Sequence, residues 1–526
     1  MARNQTILKA RSAPAPGRIA ATPIPGVALD ATSAEPLHRQ LYAALREGIL
    51  AARLRPGTRL PSTRLLAESL ELSRTTVSLA YDQLRAEGYL RGRERSGTFV
   101  AELLPEEALA PRRRPRSARP SASGGLPGRW AASADSSGAP SARGRLIDSL
   151  LVSSTSTPGG SPPIAFRLGT PALDRFPLAL WGRILARRWK GLTASQLSYS
   201  DPAGHAPLRE AIATYARQAR GAACEASQVI VVSGAQQAFD LVARVLLDPG
   251  DTAAVEDPGY RGARAALAAA GADLAMIPVD REGMDIDRLR AASPRPRMAC
   301  VTPSHQFPLG VTMSARRRLA LLDWARGAGA WVVEDDFDSE YRFRGRPLPS
   351  LHGMDAAGRV LYVGTFSKTL FPALRLGYLI VPSALVDVFA RARAVVDRHP
   401  PALEQAVLAE FIADGHFARH VRRMRALYAE RQEVLLSLVA RELGEVLDGE
   451  RMEAGMHLVA WLRNGGDDRR LAAAAVDAGV ATVGLGTLAA DAPVRPGLLL
   501  GFAAYDEATM RRGVARLRDA ARSVAR

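Results

Sequence analysis

The chain has 526 residues, 47% of them hydrophobic, and a formal net charge of +17, which leaves room for about three globular domains with sizeable cores. Its two cysteines, Cys224 and Cys300, exclude a disulfide framework and a cysteine-based zinc site. No apolar run approaches the ~18 residues of a membrane span, and residues 1–30 carry no signal-peptide core, so a cytoplasmic protein without a membrane partner is expected.

Residues 1–30 read as a disordered N-terminus. From Pro36 the pattern changes: Leu37, Leu41, Leu45 and Ile49 recur every four residues and predict an amphipathic helix that stops near Arg55-Pro56-Gly57. Ser62 is placed to cap a second helix with Leu65, Leu66 and Leu70 inward. The tight turn Glu71-Leu72-Ser73 leads to a third helix with Val77, Ala80, Tyr81 and Leu84 inside, closing at Gly88. Tyr89-Leu90 and Thr98-Phe99-Val100 flank Arg91-Gly92-Arg93-Glu94-Arg95-Ser96-Gly97, the pattern of a β-hairpin with a basic tip.

Three helices and a basic hairpin make an α+β winged helix-turn-helix, here residues 31–102. The third helix opens with Ser73-Arg74-Thr75-Thr76, so short hydroxyls and a guanidinium stand where a recognition helix meets the major groove, while the wing arginines suit phosphates. From Leu60-Pro61-Ser62-Thr63-Arg64 to Gly97-Thr98-Phe99-Val100 the segment resembles the GntR family of bacterial regulators. That resemblance implies double-stranded operator DNA as partner, with Arg64, Ser73, Arg74, Thr75, Thr76, Ser78 and Gly97 at its contact positions. The net charge alone does not decide this, because an Arg-rich composition gives the same value without nucleic acid.

Residues 103–163 read as a flexible linker, running through Pro111-Arg112-Arg113-Arg114-Pro115-Arg116 into Ser, Gly, Pro and Ala. Leu146 to Val152 forms one short apolar island in it. A chain of this length spans roughly 40 Å root-mean-square.

From residue 164 to 526, short apolar strands alternate with alanine-rich helices, the sign of an α/β domain with a mostly parallel sheet. The large subdomain is expected over about 195–395 and a smaller C-terminal α+β subdomain over about 400–526. Val229-Ile230-Val231-Val232 runs into Ser233-Gly234-Ala235-Gln236-Gln237, where small residues open a helix whose free N–H groups can receive a phosphate. Further strand ends carry Glu256-Asp257-Pro258-Gly259-Tyr260, Thr302-Pro303-Ser304-His305-Gln306 and Glu334-Asp335-Asp336. Ligand sites in open α/β sheets lie at such carboxyl ends. His416 and His420 stand at i, i+4 without the glutamate of a metalloprotease helix and are expected as solvated surface residues, so no metal site is expected.

Lysine occurs only at Lys9, Lys190 and Lys368. A chain that otherwise writes its cations as Arg keeps lysine where a guanidinium cannot serve, and a desolvated amine can lose its proton and form a Schiff base with an aldehyde. Lys368 follows the apolar strand Val360-Leu361-Tyr362-Val363; Thr365 and Ser367 offer hydroxyls, and Arg375 a planar fork, suited to a phosphate. The stretch Ser367-Lys368-Thr369-Leu370-Phe371-Pro372-Ala373-Leu374-Arg375-Leu376-Gly377 resembles the cofactor-lysine segment of fold-type I pyridoxal phosphate (PLP) enzymes. A pyridinium nitrogen needs a nearby carboxylate, for which Asp335 is placed, and Tyr260 is placed to stack on a ring.

The ordered set of turns, behind a GntR-like head, resembles MocR/GabR-type regulators over nearly the whole chain from about residue 33. The resemblance implies a fold-type I aminotransferase-like domain with Lys368 as the Schiff-base residue. It implies PLP held by Lys368, Asp335, Tyr260, Ala235, Gln236, Thr365, Ser367 and Arg375, and a head-to-tail homodimer. Three departures stand out: Phe307-Pro308-Leu309-Gly310 has no Asn where aminotransferases carry one, Phe337 replaces a tyrosine, and the carboxylate-gripping arginine falls at apolar Leu498-Leu499-Leu500-Gly501-Phe502. Arg495 or Arg261 could substitute for it. The expected function is a PLP-dependent transcriptional regulator without net turnover, whose effector is an amine, an amino acid or PLP itself. The alternative is a working aminotransferase with an accessory DNA-binding head.

Overall fold

In the computed structural model, residues 24, 27–30, 32–33, 35–93, 97–102, 140–150, 164–345 and 349–525 are described. The expected N-terminal disorder, the Arg112–Arg116 cluster, most of the linker and the wing tip at 94–96 lie largely or wholly outside them. The chain divides into two compact units, residues 1–128 and 129–526.

In the first unit, helix Leu37–Leu50 buries Leu41, Leu45 and Ile49. Ser62 Oγ accepts from the Leu65 N–H at 3.2 Å and starts helix Thr63–Ser69. This helix buries Leu66 and Ala67, whereas Leu65, expected inward, is 54% exposed. Neighbouring residues on a helix point about 100° apart, and the core claims Leu66. Ser73 caps helix Arg74–Ala86, which buries Val77, Ala80, Tyr81 and Leu84, and Tyr81 Oη donates to the Pro61 carbonyl at 3.0 Å. Strands β1 (Arg59–Leu60), β2 (Leu90–Arg93) and β3 (Gly97–Val100) form an antiparallel sheet in the order β1-β3-β2. A two-residue strand such as β1 carries no alternation to read, and only its pairing with β3 defines it.

Within the stretch expected as linker, Ala142–Leu150 is helical and packs on helix Arg261–Ala270, with Arg143 Nε donating to the Ala269 carbonyl at 2.7 Å.

The second unit is built on eight strands: β4 (Val229–Val232), β5 (Thr252–Asp257), β6 (Asp273–Asp280), β7 (Gly283–Met284), β8 (Met298–Val301), β9 (Trp331–Asp336), β10 (Val360–Thr365) and β11 (Gly377–Ile380). Their order is β4-β11-β10-β9-β8-β5-β6-β7. Five of them, β5, β6, β8, β9 and β10, are parallel; β11 runs against both neighbours and β7 folds back on β6. Helices cover both faces, so the central strands read as continuous apolar runs instead of alternating.

A second, antiparallel sheet contains β12 (Leu447–Gly449), β13 (His457–Leu462), β14 (Val483–Gly484) and β15 (Gly497–Gly501) in the order β12-β13-β15-β14. Ala165 and Phe166 bridge to Val480 and Gly501, so the segment from residue 164 joins the core of the C-terminal part of this unit. Helix His416–Leu443 serves both cores, with Phe417 and Val421 in one and Met424, Tyr428 and Leu435 in the other. His420, expected on the surface, lies on that buried face at 4% exposure. It stands edge-on to Phe176 at 5.9 Å, and burial pushes its pKa down to about 4. Among the described residues no helix is long and apolar enough to cross a membrane.

Candidate functional site

Strand β9 shows how the sheet selects one carboxylate out of three. Side chains alternate across a strand. Glu334 and Asp336 are spoken for: Glu334 accepts from the Leu351 and His352 N–H groups at 3.0 and 2.9 Å, and Asp336 accepts from Arg220 Nε at 2.6 Å and Tyr362 Oη at 2.5 Å. Asp335 points the other way, into a cavity of about 350 Å³, within the ~300–1,000 Å³ typical of small-molecule sites. Its Oδ1 is buried without a hydrogen-bond partner among the described residues. Desolvation, then the charges of Asp336, Asp338 and Glu256, push its pKa up to about 8, with Lys368 pulling the other way. A buried carboxyl in that condition is stabilised by any cationic or N–H donor brought to it.

Lys368 enters the same cavity from the segment after β10. Parallel pairing sets Val363 beside Asp335 and Gly364 beside Asp336, which brings the end of β10 to the edge where β9 ends. Nζ donates to the Gly169 carbonyl at 3.0 Å. Burial lowers the pKa of the amine, and Asp338 and Asp335 partly offset this. A buried lysine of lowered pKa has a larger neutral fraction, the form that attacks a carbonyl. Gly169 has φ +65°, and a Cβ there would lie 2.3 Å from Nζ, so the lysine has its place only because no side chain occupies it.

The phosphate-suited groups gather at one end. Thr365, Ser367, Arg375, Ala235 and Gln236 all line the cavity, the last two in the first turn of helix Ala235–Leu246, whose N-cap Gly234 has φ +96°. The Arg375 guanidinium donates to the Ser233 carbonyl and comes within 3.3 Å of where a Gly234 Cβ would be. Arg375 itself sits at φ +50°, a conformation that costs a non-glycine residue and clusters at functional sites. A helix N-terminus, two hydroxyls and a guanidinium form an anion cradle. Tyr260 lines the cavity as well, and Phe307 stands edge-on to it at 6.1 Å. All eight residues expected around the cofactor thus line one cavity.

Sequence reasoning missed several lining residues. Leu168, Gly169, Met456 and His457 come from segments far away in sequence, without any motif to mark them. Asp338 had a signal in its place beside the Glu334-Asp335-Asp336 run: it lines the cavity and accepts from His305 Nδ1 at 2.9 Å. Burial pushes the His457 pKa down to about 4, so its ring is neutral at pH 7. Neither Arg261 nor Arg495 lines the cavity; Arg495 lies over the Trp461 ring at 5.2 Å.

On the first unit, Arg74 and Thr75 are exposed in the first turn of helix Arg74–Ala86. Ser73 Oγ accepts from the Thr76 N–H at 3.0 Å and lies 2.8 Å from Thr76 Oγ1, so both hydroxyls are partly engaged in capping. Ser78 is half-buried. Arg64 pairs with Glu68 at 3.1 Å on the surface. Gly97 has φ +112°, and a Cβ there would meet the Arg59 side chain at 3.1 Å, which gives that glycine a structural reason of its own.

Residues 37–100 match the family of bacterial regulatory proteins, gntR family, and residues 183–517 match aminotransferase class I and II. The chain is 44% identical to the probable rhizopine catabolism regulatory protein MocR of Rhizobium meliloti, over 94% of this chain and 95% of that one. It is 30% identical to the pyridoxine biosynthesis transcriptional regulator PdxR of Corynebacterium glutamicum, over 94% and 98%. Among solved structures it resembles LysN, an alpha-aminoadipate aminotransferase of Thermus thermophilus complexed with N-(5'-phosphopyridoxyl)-L-leucine. The TM-score is 0.64 at 30% identity, covering 69% of this chain and 93% of that one. The chain belongs to the MocR-type branch of the gntR family of regulators, in which a DNA-binding head is joined to a class I and II aminotransferase domain.

Proposed function

We propose that this regulator binds PLP in the cavity around Lys368, and that a small molecule reaching the bound cofactor changes how the heads engage operator DNA in the cytoplasm. The observation that carries the reading is the convergence in one cavity of a buried Asp335 oxygen with no hydrogen-bond partner among the described residues, a desolvated Lys368 amine and an anion cradle at Arg375. When bound, PLP supplies a reactive aldehyde and a pyridine ring that acts as an electron sink. Lys368 would hold it covalently through Nζ, Asp335 would accept from the ring nitrogen, and Tyr260 would cover a ring face. Thr365, Ser367, Arg375, Ala235 and Gln236 would hold the phosphate. Such a ligand shifts DNA binding only as far as it binds two conformations of the protein differently.

Phe307 offers no hydrogen bond where aminotransferases place an Asn, and Phe337 none where GabR-type proteins place a tyrosine. Leu499 is fully buried in the C-terminal core, paired with Val459 and Val483. These three favour regulation without turnover over a working aminotransferase.

A homodimer has its support on the second unit, where Leu178, Trp189, Leu197, Tyr199 and Val395 are between 63% and 85% exposed. Helix Leu178–Lys190 packs against helix Ala402–Ala413, and Arg398, close to the start of that helix, lies over the Tyr199 ring at 5.7 Å. This side of the unit would be covered by a second copy, and the head-to-tail arrangement belongs to the same proposal.

Purified protein supplied with PLP shows a visible absorbance band that Lys368→Ala removes; a colourless wild type overturns the cofactor reading. In cofactor-free protein, Asp335→Asn raises thermal stability at pH 7. The carboxyl is neutral in the folded state up to about pH 8 but ionises near 3.8 when unfolded, so it destabilises progressively as pH rises from about 4 to 8. The variant flattens that slope in a pH series of melting curves, and the same substitution weakens PLP binding. Arg74→Ala weakens specific operator binding by roughly 1–3 kcal/mol in a gel-shift titration, with little effect on non-specific DNA. Trp189→Glu shifts the sedimentation profile toward monomer, and an unchanged profile removes this face from the dimer.

A further inference from the structure

We infer that the small molecule admitted beside the cofactor is an amine that carries no carboxylate. This rests on the cofactor reading above and narrows it.

The cations of the cavity are already assigned. Among the described residues that line it, only Lys368 and Arg375 are cationic. Arg375 is fixed at the phosphate end, its guanidinium donating to the Ser233 carbonyl and lying against Gly234. A ligand carboxylate would therefore find no second planar fork. The position where related aminotransferases grip it holds Leu499, 0% exposed within β15 and outside the cavity lining, so it offers a ligand neither charge nor hydrogen bond.

What faces the free space is of the opposite character. Phe307 stands edge-on to Phe337 at 6.2 Å and to His457 at 5.8 Å, and Met456 adjoins them in the lining. The His457 Nε2–H is committed to the Pro308 carbonyl at 3.1 Å. The remaining charge on this wall is Asp338, whose carboxylate accepts from His305 Nδ1. A carboxylate placed here is desolvated against aromatic and thioether surface and repelled by Asp338, which costs free energy in two ways at once. An ammonium has the reverse balance: Asp338 attracts it, and aromatic faces favour a cation. The ligand class is thus a primary amine with an apolar or uncharged body.

The test uses matched pairs that differ only in the carboxylate: 2-phenylethylamine against L-phenylalanine, tyramine against L-tyrosine, and 3-methylbutylamine against L-leucine. Full-length, PLP-loaded protein is titrated with each, reading both the cofactor absorbance and the melting temperature. The decarboxylated member half-saturates the response at a concentration at least ~10-fold lower in one or more pairs, as the absence of a bidentate charge pair requires. An amino acid that saturates at an equal or lower concentration in every pair overturns the inference, and so does protein that responds to none of the amines. Either result leaves the cofactor reading standing if the absorbance band is present and Lys368→Ala removes it. A missing band, or one that survives Lys368→Ala, fails that reading itself and the inference with it.

Discussion

The parallel pairing of β9 with β10 is the constraint on which the rest of the cavity depends. With Val363 beside Asp335 and Gly364 beside Asp336, the two strands end together, and the segment carrying Lys368 emerges over the one carboxylate that faces the open side. A one-residue slip of β9 would turn Asp335 into the packed layer and bring Glu334 or Asp336 out. That slip is opposed by the fixed partners of those two residues, Arg220 and Tyr362 for Asp336 and two backbone N–H groups for Glu334. The acidic run therefore works as a register device: two members hold the strand, and the third is left for a ligand.

Close backbone approach does the second part of the work. A Cβ on Gly364 would lie 2.2 Å from the Tyr378 ring, and one on Gly377 would lie 3.0 Å from the Gly234 Cα. These glycines let β10, β11 and the start of helix Ala235–Leu246 crowd together, so that the helix N-terminus and Arg375 stand side by side at the cavity. The strain of Arg375 at positive φ is held by that crowding.

The cavity is also a concentration of buried charge. Glu256, raised to about 7 by burial, receives the Thr302 hydroxyl at 2.6 Å and lies behind Asp335. Asp338 is bound to His305. Such a cluster destabilises the cofactor-free fold, and under the proposed role of Asp335 a pyridine nitrogen beside it would offset part of that cost. On that reading binding and stability would be coupled through the same carboxyl group.

The sequence by itself determined the order of the head's three helices and hairpin and the strand runs that bear the site, because helix periodicity in the head and apolar runs in the sheet are local signals. Lysine scarcity isolated Lys368, and the strand ends carried Asp335, Tyr260 and Arg375 to one edge, since open α/β sheets collect their ligand groups there. Where a residue's surroundings come from distant segments, the sequence was silent. Leu65 and Leu66 are equally apolar, and only the packed core made the second the inner one. His420 showed a surface pattern, yet the face shared with Phe417 and Met424 buried it. Gly169, Met456 and His457 reached the cavity through the joining of residues near 165 to the second sheet. No local pattern records such a contact, because it depends on where two layers distant in sequence meet.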